Sequence, residues 1–234
     1  MQPVPPLRPI PPIPPTRPKA LLIDLDGTLV DTLGDFVAAL QATGRELGLG
    51  ATDPAWVRQA IGRGGQRLVQ AWLTQLGAPA DRFDAAWAAY SAHYAAVNGR
   101  HAQVFEGVRE AIPRLGMPLA CVTNKPQANA EALLRQLGLR DAFAVVVGQQ
   151  AGLRPKPHPD ALLRACEALG IAPAQTWMVG DSRNDAESAE AAACGAVVLM
   201  RYGYNHGEAV HEVPALAHLD RLDELPALWR GPAD

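Results

Sequence analysis

Two aspartates, Asp24 and Asp26, stand at the end of an apolar run in the segment KALLIDLDGTLVDT, residues 19–32. The run Ala20–Leu25 is long enough for one strand that is buried on both faces. Ligands of an open parallel sheet bind at the carboxyl ends of its strands, so carboxylates placed there are expected to face a site. The alternative is that both aspartates only cap the turn at Gly27.

Further polar residues follow the later predicted strands or lie in the loops after them. They are Thr123 and Asn124, the carboxylates Asp181 and Asp185, and Lys156 in the proline-rich loop 154–159. Taken singly, these groups also fit a turn, a helix start and a solvated surface lysine. Their joint occurrence at strand ends favours one shared site.

The chemistry of such a site follows from its charge. Three carboxylates that converge on a phosphate dianion would repel one another strongly in a cleft of low dielectric constant. A hard cation is therefore required, and an oxygen-rich site with a phosphate partner suits Mg²⁺. The sequence thus predicts a Mg²⁺ site that handles a phosphoryl group.

The run DLDGTLVD, residues 24–31, resembles the first signature of the haloacid dehalogenase superfamily, most of whose members are phosphatases. The remaining signatures are matched in order by Thr123, Lys156, Asp181 and Asp185, and the resemblance covers nearly all of residues 20–230. It implies a Rossmann-like core with a helical cap inserted after the first strand.

The resemblance also implies a role for each residue. Asp24 is expected to be the nucleophile that forms an aspartyl-phosphate, and Asp26 the general acid and base. Mg²⁺ would be held by Asp24, by Asp181 and by the backbone carbonyl of Asp26, and Asp185 would support it from behind or through a water. The phosphoryl oxygens are assigned to Thr123 and the Asn124 amide, and the balancing charge to Lys156. Lys125 is expected to face solvent or the rim.

Two further stretches are similar to those of phosphoglycolate phosphatases. They are the segment YGYNHG, residues 202–207, and the cap loop with Gly62, Arg63 and Gly64. The expected reaction is hydrolysis of 2-phosphoglycolate to glycolate and phosphate, with Arg63 or the loop amides binding the carboxylate. Alternatives are a phosphatase of another small metabolite such as a sugar phosphate, and a phosphomutase similar to β-phosphoglucomutase. A non-enzymatic phosphate-binding module is disfavoured because every catalytic group is present.

The pattern of apolar residues divides the chain into three parts. Helix and strand alternate from Gly107 onward, which predicts an α/β fold with a doubly wound parallel sheet. Four helical segments between residues 34 and 104 have no strand among them, which predicts an inserted helical cap. The core then comprises residues 19–33 and 105–234, with a last helix within residues 216–229. The proline-rich residues 1–18 form an extended tail without a catalytic role.

Composition limits the partners. The 234 residues carry a formal charge of −3 and no basic block, which disfavours nucleic acid and anionic membranes as partners. No apolar run approaches the length that spans a bilayer. The three cysteines are widely spaced, which is typical of a reducing compartment. We expect a cytoplasmic monomer or homodimer that binds a small phosphorylated metabolite.

Overall fold

A computed structural model describes residues 16–229 of the chain. The predicted extended tail falls outside the described residues except for positions 16–18. There, Pro18 is buried, and the Arg17 guanidinium donates to the carbonyl of Leu115 (3.0 Å) and lies over the Trp229 ring. The last residues of the predicted tail therefore pack against the body of the protein.

Six strands form one sheet in which all neighbouring pairs are parallel. The strands are β1 (Ala20–Ile23), β4 (Leu119–Pro126), β5 (Val145–Gln149), β6 (Thr176–Gly180), β7 (Ala196–Met200) and β8 (Ala217–Leu219). Their spatial order is β5-β4-β1-β6-β7-β8, so the chain builds outward from β1 first on one side and then on the other. This order confirms the predicted doubly wound α/β fold.

Four helices cover the two faces of the sheet, and the central strand is buried between them. The helices are α5 (Val108–Leu115), α6 (Gln127–Gln136), α7 (Asp160–Leu169) and α8 (Arg183–Ala191). Leu21 and Ile23 belong to the apolar cluster that includes residues of α5 and α6, whereas Leu22 belongs to the cluster that includes residues of α7 and α8. This alternation explains why the run after Lys19 is apolar at every position.

A helical segment, residues 33–97, lies between β1 and the rest of the sheet strands. It contains α1 (Leu33–Leu47), α2 (Pro54–Ala60), α3 (Gly65–Gln75) and α4 (Phe83–Val97). These helices share an apolar cluster of their own, centred on Trp72, which also takes in Tyr204. Among residues 16–229, no helix is both long enough and apolar enough to cross a bilayer.

Two short strands that the apolar pattern did not predict join the helical segment to the core. They are β2 (Val30–Asp31) and β3 (Gln103–Val104), which pair antiparallel where the chain enters and leaves the segment. Behind them the buried carboxylate of Asp35 accepts hydrogen bonds from the backbone N–H groups of Gly99 (2.6 Å) and His101 (2.8 Å). The Asp35 side chain at the start of α1 therefore fixes the segment from Gly99 to His101, where the chain leaves the helical segment.

The last helix predicted within residues 216–229 is present only as a short 3₁₀ helix. Residues Ala217–Leu219 instead extend the sheet beside β7, and only Leu222–Leu228 wind into a 3₁₀ helix. Pro226 lies inside that turn and has no backbone N–H to donate, which disfavours an α-helix there. The alternation of apolar residues in this tail was too short to distinguish the two structures.

Replacing Asp35 with alanine should destabilise the protein, because the buried N–H of Gly99 and the half-buried N–H of His101 would lose their acceptor. We expect a loss of about 2–4 kcal/mol in the free energy of unfolding, measured by urea denaturation. The matched control is Asp53→Ala, which removes an exposed helix cap on Ala55 and should cost about 0.5–1 kcal/mol. Equal losses in the two variants would contradict a special role for Asp35.

Candidate active site

The order of strands places Asp24 at the point where the sheet reverses its direction of growth. β1 lies between β4 and β6, and the chain continues from its end directly into Asp24, whose N–H donates to the carbonyl of Val179 in β6 (2.9 Å). Ligands of open parallel sheets bind in the crevice at such a point. The side chain of Asp24 is 10% exposed. A nucleophile placed here is both buried and accessible from the crevice.

Lys156 is the cation that pairs with Asp24. Its Nζ lies 2.7 Å from Asp24 Oδ1 and 2.7 Å from Asp185 Oδ1, and it also donates to the carbonyl of Val122 (3.0 Å). Burial would lower the pKa of Lys156, but Asp185 and Asp24 overcome this effect and raise it. The raised pKa keeps the Lys156 ammonium in its charged form.

Asn124 holds the loop that carries Lys156. Its side-chain oxygen accepts from the N–H of Lys156 (2.7 Å), and its amide nitrogen donates to the carbonyl of Lys156 (3.0 Å). The same nitrogen also donates to the carbonyl of Gly62 in the helical segment (3.0 Å). The Asn124 side chain thus holds the backbone of Lys156 beside that of Gly62. The backbone N–H of Asn124, in the stretch where β4 and β5 lose register, is the remaining candidate donor beside Thr123.

Asp185 has two tasks, one for each carboxylate oxygen. Oδ1 contacts Lys156, whereas Oδ2 accepts from the hydroxyl of Ser182 (2.7 Å) and from its N–H (3.1 Å). With Ser182 it forms a capping box at the start of α8. Asp185 therefore caps the start of α8 and also holds the ammonium of Lys156.

Asp181 is fixed from two sides. Its Oδ1 accepts from the hydroxyl of Thr28 (3.0 Å), and its Oδ2 accepts from the N–H of Tyr204 (2.5 Å). A Cβ at Gly27 or at Gly203 would collide with this carboxylate, and Gly27 also has a φ of 91°. Tyr204 was not predicted as a site residue, although the segment 202–207 had been singled out. The motif YGYNHG contains Tyr204, and the hydrogen bond from its N–H to Asp181 explains why this segment lies at the site.

The carboxylates carry more negative charge than the neighbouring ammonium balances. Asp24, Asp181 and Asp185 each offer an oxygen within 4.8 Å of the others. Burial raises the pKa of Asp24 to about 7, with Lys156 opposing and Asp185 adding to the shift. Burial also raises the pKa of Asp181, and Asp185 and Asp24 raise it further. An oxygen-lined, electron-rich cluster of this kind fits a hard divalent cation.

Asp26 lies on the other side of the crevice from Lys156 and has its own cation. Its Oδ1 accepts from the Thr32 hydroxyl (2.7 Å) and from Lys125 Nζ (2.6 Å). The expectation that Lys125 faces solvent or the rim is wrong, because Lys125 is buried, with 4% of its surface exposed. β4 continues past it to Pro126, and its ammonium also donates to the Tyr94 hydroxyl of the helical segment (2.5 Å).

The structure brings the predicted core residues into one small cleft of about 20 Å³. Its walls include Asp24, Asp26, Thr123, Asn124, Lys156 and Asp181, together with Gly62. Gly62 reaches the cleft through its carbonyl, which accepts from Asn124 and from Asn184 (3.2 Å). Gly64 lines the adjoining cavity together with Gly62, and it also lines an outer cavity on which Arg63 is exposed. Of the three residues of the predicted cap loop, Gly62 alone lines the small cleft.

Comparison with known proteins agrees with this arrangement. The family model for haloacid dehalogenase-like hydrolases matches residues 21–199. A curated relative, the plasmid phosphoglycolate phosphatase of Cupriavidus necator, is 42% identical over 89% of this chain and 92% of its own. Another, named N-acetylmuramic acid 6-phosphate phosphatase, from Pseudomonas putida, is 36% identical over 82% of this chain and 86% of its own.

A solved structure gives the same result for the fold. The crystal structure of a predicted phosphoglycolate phosphatase from Haemophilus somnus superposes with a TM-score of 0.84 at 29% identity, covering 91% of this chain and 98% of that one. The chain therefore belongs to the haloacid dehalogenase-like hydrolases. Within this family it is an enzyme of the phosphatase type, similar over most of its length to proteins named phosphoglycolate phosphatase.

The raised pKa of Asp24 predicts how the metal-free protein responds to pH. Because the folded pKa of about 7 lies above the unfolded value, the stability that Asp24 contributes is full below about pH 4 and is lost as the pH rises toward 7. Asp24→Asn removes this loss, so its Tm in chelator should exceed that of wild type by a few degrees at pH 8.

The difference in Tm should shrink as the pH is lowered from 8 toward 4. Asp141→Asn, which changes an exposed carboxylate, is the control and should show no such gain. A Tm for Asp24→Asn that stays below that of wild type at pH 8 would mean that the pairing with Lys156 outweighs the burial of charge.

Proposed function

We propose that the protein is a Mg²⁺-dependent phosphomonoester hydrolase that works through an aspartyl-phosphate on Asp24. The observation that carries this proposal is the placement of Asp24 at the reversal point of the sheet, with Lys156 Nζ at 2.7 Å. An anionic nucleophile can approach a phosphate dianion only where cationic groups offset the repulsion between them.

In the first step, an oxygen of Asp24 attacks phosphorus, and the bond between phosphorus and the leaving oxygen breaks. Asp26 gives its proton to that oxygen, which leaves as an alcohol. In the second step, Asp26 takes a proton from water, whose oxygen attacks phosphorus and releases Asp24 and inorganic phosphate. Thr123 and the Asn124 N–H hold phosphoryl oxygens, and Lys156 offsets their charge throughout.

The residues that would hold Mg²⁺ are Asp24, Asp181 and the backbone carbonyl of Asp26, with Asp185 behind them. Support for this set comes from the oxygens within 4.8 Å of one another and from the raised pKa values of Asp24 and Asp181. When bound, the cation supplies positive charge that stabilises the phosphoryl oxygens in the transition state. Lys156 then keeps Asp24 oriented for attack.

The helical segment is proposed to be the cap of the site, with domain limits at 34–104 and a core of 19–33 and 105–234. Its own apolar cluster supports this division, as does the pairing of β2 with β3 at its two ends. The contact of Gly62 with Asn124 and Asn184 supports a position for this loop of the proposed cap over the phosphoryl group. Such a cap excludes water and selects the leaving group.

The substrate supported best is 2-phosphoglycolate, a small phosphorylated acid. The support comes from relatives with that name at 35–42% identity over 85–91% of this chain. A bulkier phosphorylated metabolite is the second candidate. It is favoured by the roughly 240 Å³ cavity beside Asp26 and by the different name of the Pseudomonas putida relative.

Asp24→Asn should abolish turnover and leave the fold intact, since an isosteric amide cannot form the acyl-phosphate. Wild-type enzyme quenched in acid during turnover should carry phosphate that is labile to hydroxylamine, and the variant should carry none. A residual rate above about a tenth of wild type, a barrier change under about 1.4 kcal/mol, would place the nucleophile elsewhere.

Activity should disappear in excess chelator and return on addition of Mg²⁺, whereas Ca²⁺ should restore little of it. Ca²⁺ prefers more ligands at longer distances, which would spoil the alignment of the attacking oxygen. The measurement is the initial rate with 2-phosphoglycolate at saturating concentrations of each ion. Full activity in chelator would contradict the proposed metal dependence.

A further inference from the structure

The cavity beside Asp26 is apolar and aromatic on most of its surface. Its volume is about 240 Å³, and it adjoins the small cleft through Asp26, Gly62 and Asn124, which line both. The walls farther from the cleft are formed by aliphatic and aromatic side chains. These are Phe36, Ile61, Leu68, Trp87, Tyr90 and Tyr94. Because Asp26 is the proposed proton donor, the leaving group must lie on this side of the phosphoryl group.

Lys125 supplies a positive charge in the wall of this cavity. Its side chain is 1% exposed, and its Nζ lies 5.0 Å from the ring centres of both Phe36 and Tyr94. An ammonium has three N–H donors, of which one points to Asp26 and one to the Tyr94 hydroxyl. One donor therefore remains for a group inside the cavity.

Arg63, the residue first expected to bind the substrate carboxylate, is placed differently. Its side chain is exposed and lines the outer cavity with Arg67, whereas the inner cavity beside Asp26 is not lined by it. A carboxylate one carbon away from the scissile oxygen would have to lie beside Asp26. The geometry there favours Lys125 over Arg63.

The size of the cavity exceeds what glycolate requires. A two-carbon acid would leave most of the aromatic wall uncovered. Ser91 on this wall has a hydroxyl that is shielded from solvent and has no hydrogen-bond partner among the described residues. Apolar walls with a lone polar group suit a substituent larger than hydrogen on the carbon that carries the phosphate.

We propose that Lys125 binds the carboxylate of the substrate, and that the substrates are phosphate esters of 2-hydroxy acids, including those with an apolar substituent on the second carbon. This proposal rests on the proposed phosphatase activity and deepens it by naming the carboxylate contact and the class of leaving group.

The first experiment compares 2-phosphoglycolate with 2-hydroxyethyl phosphate, which has the same length but no carboxylate. The quantity measured is the ratio of their kcat/KM values in wild type and in Lys125→Met. A general effect on Asp26 lowers both values and cancels in the ratio, so we expect the ratio to fall tenfold or more. Lys19→Met, an exposed lysine at the opposite end of β1, is the matched control and should leave the ratio within twofold of wild type.

Lys125→Arg should recover part of the ratio, because it restores a cation, and thermal melts of each variant check that it is folded. The proposal is overturned if the ratio is unchanged in Lys125→Met, or if it falls further in Arg63→Ala than in Lys125→Met. If Lys125→Met does not fold, the ratio in Lys125→Arg and in Arg63→Ala decides between the two cations.

The second experiment tests the size of the leaving group with the phosphate ester of 3-phenyllactate. Its kcat/KM in wild type should lie within tenfold of that for 2-phosphoglycolate. Ser91→Leu, which fills part of the cavity, should lower kcat/KM for the phenyllactate ester at least fivefold more than kcat/KM for 2-phosphoglycolate. A wild-type value a hundredfold below that of 2-phosphoglycolate would reject the larger class. Turnover of p-nitrophenyl phosphate separates the two proposals, because its absence in wild type with Mg²⁺ would reject the hydrolase itself.

Discussion

The structure depends on one electrostatic conflict, the crowding of three buried carboxylates around the Nζ of Lys156. Oxygens of Asp24, Asp181 and Asp185 lie within 4.8 Å of one another, yet Lys156 contacts only two of these side chains. Such an arrangement destabilises the free protein and raises the pKa of Asp24 to about 7. The rest of the fold must therefore hold these groups together against their own repulsion, and the proposed divalent cation would relieve the conflict.

The polar residues around the site meet this demand by serving structure and chemistry at once. Asp185 caps α8 with one oxygen and holds Lys156 with the other, so the helix cannot begin elsewhere without displacing the ammonium. Asn124 binds both backbone groups of Lys156 and the carbonyl of Gly62. Since each contact is shared, a change at one residue disturbs both the local backbone and the site. Preorganisation of this kind keeps the charges in position before substrate arrives.

Much of this was predictable from the sequence, and the failures have physical reasons. The alternation of helix and strand from Gly107 onward agrees with the structure, because the apolar pattern of each element reports its burial directly. The two-residue strands β2 and β3 carry no such pattern, since only their pairing defines them. Lys125 was misplaced for a different reason. A lysine after a strand is ordinarily solvated, and its burial arises from Asp26 and Tyr94, which come from distant parts of the chain.

The position of Lys125 divides the crevice into two halves with different physics. On the side of Lys156 the walls are charged, and the geometry is set by ion pairs that any phosphate ester would require. On the side of Lys125 the walls are aromatic, and selection depends on shape and on one buried charge. Asp26 lies at the border, where the proposed proton transfer to the leaving group takes place. Because the linings of the two halves share only Asp26, Gly62 and Asn124, changes elsewhere in the helical segment can alter the leaving group while the phosphoryl chemistry stays the same. This separation explains how one core can carry relatives with differently named substrates at similar identity.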